Sequence, residues 1–146
     1  MKKNLIDQIN RNLANIGVSY IKMHNLHWNV VGPQFKAVHE YLEGIYDAYA
    51  DVLDEVAELI RMSGDLPAAS LKDYLALADI GELPSVEISI PDALGILLAD
   101  MKHLREQAAA IRKAANEEDA FEAVAMMEGH ISQFNKNIWF VESMGK

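Results

Sequence analysis

The chain has 146 residues, 51% hydrophobic and 24% charged, the size and balance of one domain with a single core over residues 1–146. Its 22 acidic residues against 13 basic ones leave a formal charge of -9, which disfavours a protein living by phosphate contacts with nucleic acid and favours cations at its surface. The absence of cysteine removes disulfides, zinc–thiolate and iron–sulfur sites and thiol chemistry together.

Apolar residues recur at helical spacing, and alternating β-branched runs are nearly missing, so the class is all-α. Leu5, Ile9, Leu13, Ile16, Tyr20, Met23 and His27 form a stripe that predicts a first helix over about 3–30, broken at Gly32-Pro33. Val38, Leu42, Ile45, Tyr49, Leu53, Val56 and Ile60 predict a second over about 35–63, stopped by Gly64 with Pro67 behind it. Ser70 can cap a short helix holding Leu71, Tyr74, Leu75 and Leu77, after which Gly81, Pro84 and the Val86–Ile90 stretch read as an extended connection. Pro91 suits the first turn of a third long helix that buries Leu94, Leu97, Leu98, Met101, Leu104 and Ile111. Asn116-Glu117-Glu118-Asp119 then turns the chain into a fourth, acidic at its start and ending near Val141. Four long helices with two short links and one long crossover carrying a short helix make a four-helix bundle with ferritin-like connectivity. The charged Met1-Lys2-Lys3 start lacks the apolar run of a signal peptide, and no stretch approaches the roughly 20 apolar residues of a membrane span, so a cytoplasmic chain without membrane contact is expected.

A bundle alone does not give function. On the second helix His39, Glu43, Ala50, Asp54 and Glu58 fall within a stripe about 100° wide, centred roughly 130° from the apolar face. The ordinary explanation is a solvated surface, but three features oppose it. Every charged residue on the stripe is a potential metal ligand, with no lysine or arginine to neutralise it. The spacing is symmetric about a point near residue 48, so an antiparallel copy of the helix would set His39 beside Glu58 and Glu43 beside Asp54. Small Ala50 lies near the centre, where two helices could approach. Within one chain Glu43 and Asp54 are about 16 Å apart along the helix and cannot share an ion. Histidine and carboxylate without thiolate suit iron, manganese or zinc. His27 joins the cluster from the end of the first helix, while His24 is expected at its edge or on the surface. An intrachain di-iron centre is disfavoured, because only Asp100-x-x-His103 approaches the Glu-x-x-His motif that such a centre needs twice.

The segment Asn25-Leu26-His27-Trp28-Asn29-Val30-Val31-Gly32, followed by Phe35, Val38-His39-Glu40 and Asp54-x-x-x-Glu58, resembles the Dps family of mini-ferritins, as does Asn137-Ile138-Trp139-Phe140-Val141-Glu142-Ser143. The likeness spans nearly the whole chain. It implies a hollow homo-oligomer of twelve subunits with ferroxidase sites at two-fold interfaces. These oxidise Fe(II), commonly with hydrogen peroxide, and the cage stores ferric mineral. His27 and His39 would be ligands from one subunit, and Asp54 and Glu58 from the other. Glu43 stands where the family usually has aspartate, one methylene longer, which bears on whether a second iron is held. Trp28 resembles a family tryptophan that takes up oxidising equivalents, or serves as an interface anchor. Glu117, Glu118, Asp119 and Glu122 resemble carboxylates lining pores that admit iron, although helix capping explains them equally well. Direct DNA binding is not expected: only Lys2 and Lys3 precede the first helix, Met-Gly-Lys closes the chain, and the charge of -9 repels phosphate. DNA would be protected from oxidative damage indirectly, by removal of iron and peroxide. Two other readings stand beside this one: a non-catalytic acidic helical oligomer or scaffold, and a monomeric di-metal oxidase with ligands converging in one chain.

Overall fold

The computed structural model describes all residues, Met1–Lys146. Its elements are α1 (Lys3–Asn29), β1 (Val30–Val31), α2 (Phe35–Met62), α3 (Leu71–Leu77), β2 (Ile88–Ser89), α4 (Ile90–Glu117) and α5 (Phe121–Met144). The four long helices form the ferritin-like bundle expected from the sequence: α1 packs along α2, α4 along α5, and α1 against α4. The stripes named above on α1, α2 and α4 are largely buried, with only Tyr20, Leu53 and Leu98 half-exposed at the margins, whereas Leu71, Tyr74, Leu75 and Leu77 of α3 are exposed or half-buried. No helix is long and apolar enough to cross a membrane.

Helix ends follow local chemistry. Gly64, at φ 95°, closes α2 in a Schellman motif: Asp65 N–H donates to Ile60 O at 3.2 Å and Gly64 N–H to Arg61 O at 3.0 Å. Ser70 caps α3 and Ser89 caps α4, each hydroxyl accepting from the backbone N–H three residues on, with Pro91 in the first turn of α4.

Two expectations change. The crossover does more than run extended: Val30 pairs with Ile88 and Val31 with Ser89 in a two-stranded parallel bridge. Two residues per strand are too few for an alternating pattern to register in the sequence. The last turn also differs. Helix α4 continues through Glu117, so Asn116 and Glu117 belong to its end rather than to the start of α5, and only Glu122 lies in the first turn of α5. Carboxylates at a helix C-terminus oppose its dipole. Part of that is offset at Glu118, whose carboxylate accepts from Lys2 N–H at 2.9 Å and lies 3.9 Å from the Met1 ammonium.

Helix α1 also buries polar groups. Lys22 forms an ion pair with Asp100 at 2.7 Å, and Asn15 donates to Asp79 at 2.7 Å. His103 Nε2 lies 2.8 Å from Asp79. Both members of the Asp100-x-x-His103 pair therefore have protein partners.

Candidate metal centre

The last turn of α1 and the first turns of α2 are brought together by the link through Gly32 and Pro33. Gly32 takes φ 144°, and a Cβ there would approach Ile90 Cδ1 to 3.1 Å, so glycine answers both the backbone and the space. This reversal sets the His27 and His39 rings face to face, with centroids 3.6 Å apart and planes at 12°. His27 Nδ1 lies 2.6 Å from the His39 carbonyl oxygen, and His39 Nδ1 lies 2.7 Å from the His27 carbonyl oxygen. A carbonyl only accepts, so each Nδ1 carries the proton and donates it across the turn. In its neutral form each ring then keeps its Nε2 lone pair for a metal, the arrangement by which a backbone carbonyl fixes the tautomer of a ligating histidine. His27 is 5% exposed and His39 is half-buried.

Aromatic rings box this pair. Phe35 stacks on His39 at 4.9 Å, and Tyr46 meets His27 edge-on at 5.2 Å. Tyr46 in turn stacks on His24 at 3.7 Å and 21°, while Trp28, 66% exposed, leans toward His24 at 5.4 Å. His24 donates through Nδ1 to the Tyr20 carbonyl at 2.7 Å. Its place at the edge of the cluster is thus as expected, but its contact with Tyr46 is new.

The three carboxylates Glu43, Asp54 and Glu58 all lie exposed on α2. None of them takes part in an ion pair. Glu43 stands one turn beyond His39 and accepts from the Tyr46 hydroxyl at 3.3 Å. Burial, and then the Glu43 carboxylate, raise the Tyr46 phenol above its ordinary value, so it stays protonated as a donor near neutral pH. Asp54 is about 16 Å farther along the helix, with Glu58 a turn beyond it. The chain therefore assembles His27 and His39, places Glu43 nearby, and leaves Asp54 and Glu58 remote. No three histidine or carboxylate side chains of one chain converge as a metal site.

Sequence reasoning had passed over Tyr46. Its position three residues after Glu43 and seven after His39 puts it on their side of the helix, but a phenol is not a usual ligand of such metals. Of the acidic residues compared with pore carboxylates, Glu118 is engaged by the chain's own N-terminal segment, whereas Glu117, Asp119 and Glu122 are exposed.

The chain matches the ferritin-like domain family over residues 6–145. The DNA protection during starvation protein 2 of Bacillus anthracis is 32% identical over 98% of this chain and 97% of its own length. The crystal structure of antigen TpF1 from Treponema pallidum superposes with a TM-score of 0.95 at 31% identity, covering 98% of this chain and 92% of that one. A DPS protein from Vibrio cholerae, described as a member of a broad superfamily of ferritin-like diiron-carboxylate proteins, gives a TM-score of 0.94 at 28% identity over 99% of this chain and 90% of that one. Fold, helix order and kinship over nearly the full length agree: the chain belongs to the ferritin-like family, within its Dps branch.

Proposed function

We propose that the chain is a ferroxidase that stores iron: it oxidises Fe(II) with hydrogen peroxide at sites shared between two copies and keeps the ferric product as mineral inside a cage of twelve. The observation that carries the reading is the reciprocal histidine pair, in which His27 and His39 each fix the other's tautomer and leave Nε2 free. His27, His39 and Glu43 would come from one copy, and Asp54 and Glu58 from a second, antiparallel across a two-fold axis near residue 48. The symmetric spacing on α2 and the lack of basic partners for these carboxylates support that pairing. The kinship to a ferritin-like diiron-carboxylate protein supports iron as the substrate.

The chemistry follows from the donor set. Two Fe(II) ions give two electrons to hydrogen peroxide, whose O–O bond breaks to yield two hydroxide ions and two Fe(III). Anionic carboxylates favour the ferric product over the ferrous substrate, so oxidation is easier at the site than in water. Supplying both electrons together avoids a free hydroxyl radical, and through this DNA would be protected without being bound.

Anaerobic loading with Fe(II) followed by a peroxide pulse tests the proposal, with oxidation read optically and particle mass by light scattering. The wild type is expected to oxidise the bound iron rapidly, and the double variant His27→Ala/His39→Ala to fall to the buffer rate while keeping its particle mass. An unchanged rate in that variant would overturn the site assignment. A wild type that forms large particles yet oxidises nothing would favour the acidic scaffold instead.

A further inference from the structure

We infer that Tyr46 is a positioning residue: its hydroxyl holds the Glu43 carboxylate where a second divalent cation can bind beside the His27–His39 pair. The inference rests on the ferroxidase reading and goes beyond it, since it concerns how a glutamate that is longer than the usual aspartate remains serviceable as a ligand.

The extra methylene gives Glu43 one more torsion, and an exposed glutamate that must be ordered to bind a metal loses rotamer freedom. A carboxylate restrained beforehand loses less. The Tyr46 hydroxyl, 3.3 Å from Glu43 Oε1, is the polar protein contact available for that restraint. The phenol is itself well held. One face stacks on His24 at 3.7 Å, and the ring stands edge-on to His27 at 5.2 Å and to Tyr20 at 6.4 Å. His24 is anchored in turn by its Nδ1–H to the Tyr20 carbonyl at 2.7 Å. A chain of contacts thus runs from the α1 backbone through His24 and Tyr46 to Glu43, ending on a carboxylate with its second oxygen free. The same ring touches His27, so the phenol fixes the relation between Glu43 and the histidine pair. Groups that orient a ligand in this way commonly change metal affinity about 10–100-fold when removed.

Equilibrium titration of the assembled protein with Co(II), followed by its visible absorption under anaerobic conditions, reads occupancy without turnover. The wild type is expected to show two binding events per chain. Tyr46→Phe keeps the stacked ring and removes only the hydroxyl; it is expected to weaken the second event about tenfold and leave the first unchanged. In a Glu43→Ala background, adding Tyr46→Phe should change the binding curve no further, because the tyrosine acts through Glu43. Two events with Tyr46→Phe indistinguishable from wild type would overturn the inference and leave the ferroxidase reading standing. So would a single event in the wild type, or equal weakening of both events. No binding by the wild type at all would overturn both.

Discussion

Asp79 ties the long crossover to the bundle through a few polar atoms. Its carboxylate accepts from Asn15 Nδ2 at 2.7 Å and pairs with His103 Nε2 at 2.8 Å, while Asn15 Oδ1 accepts from the backbone N–H of Asp79 and Ile80 at 2.9 and 3.1 Å. Burial pushes the Asp79 carboxyl up, but the hydrogen bonds from Asn15 and His103 and the nearby positive charges outweigh it, so its pKa lies below the ordinary value of 3.8. A carboxyl depressed on folding stabilises the native state above its unfolded pKa, and that stability is lost as pH falls through the folded value. Wild type is therefore expected to exceed Asp79→Asn in thermal midpoint near neutral pH, with the gap shrinking as pH drops below about 4. A gap independent of pH would show that the carboxylate charge does not matter there. His27 and His39 stood out as ligand types at suitable positions, yet their exchange of Nδ1–H bonds with each other's carbonyls depends on the Gly32 turn. Tyr46 stood at helical spacing from both His39 and Glu43, but only its ring contacts distinguish it from a core tyrosine.

Among the helices, α3 has the least hold on the bundle, for it alone has no buried residue. Its Tyr74 lies over Gly17 of α1, where a Cβ would come within 2.6 Å of the ring. The glycine is a packing requirement in the middle of a helix that would otherwise prefer alanine by about 1 kcal/mol. Gly17→Ala sets that propensity gain against a steric cost of roughly 1–3 kcal/mol, and with so close an approach the cost exceeds the gain. The variant is expected to lose about 1 kcal/mol, with faster amide exchange over α3 than over α1 or α2. In a Tyr74→Ala background the same substitution should instead stabilise by up to about 1 kcal/mol, because the clash is gone and the propensity remains. A destabilisation of equal size in both backgrounds would mean that α3 does not press on Gly17. The first three long helices were legible in the sequence, since an apolar stripe and a glycine–proline or serine–proline boundary specify each one locally. The β1–β2 bridge and the end of α4 were not: the first joins two short segments distant in sequence, and the second lies beside Glu118, whose partners Met1 and Lys2 are at the far end of the sequence.

For the whole molecule, the proposed assembly and the net charge each make a prediction. Trp28, Leu66, Leu71, Phe121 and Trp139 are between 63% and 76% exposed, spread over α1, the crossover and α5. Contact with other copies, as in the proposed cage, would cover such side chains. Light scattering is expected to give about twelve times the chain mass of 16.3 kDa, and Trp139→Glu to lower it by placing a charge in an apolar contact. Charge accumulates with each copy, from -9 on one chain, so a particle of twelve copies would present a strongly negative field to a polyanion. Screening weakens with falling ionic strength, and repulsion should therefore be greatest in low-salt buffer, the condition under which a basic DNA-binding protein holds most tightly. In a gel shift at low ionic strength without divalent cations, the wild-type particle is expected to leave duplex DNA unretarded. A complex that forms there and weakens as salt rises would reveal a basic contact surface that the net charge conceals. A complex that forms only when Mg(II) is added would instead point to cations bridging acidic protein and phosphate, which leaves the charge argument intact.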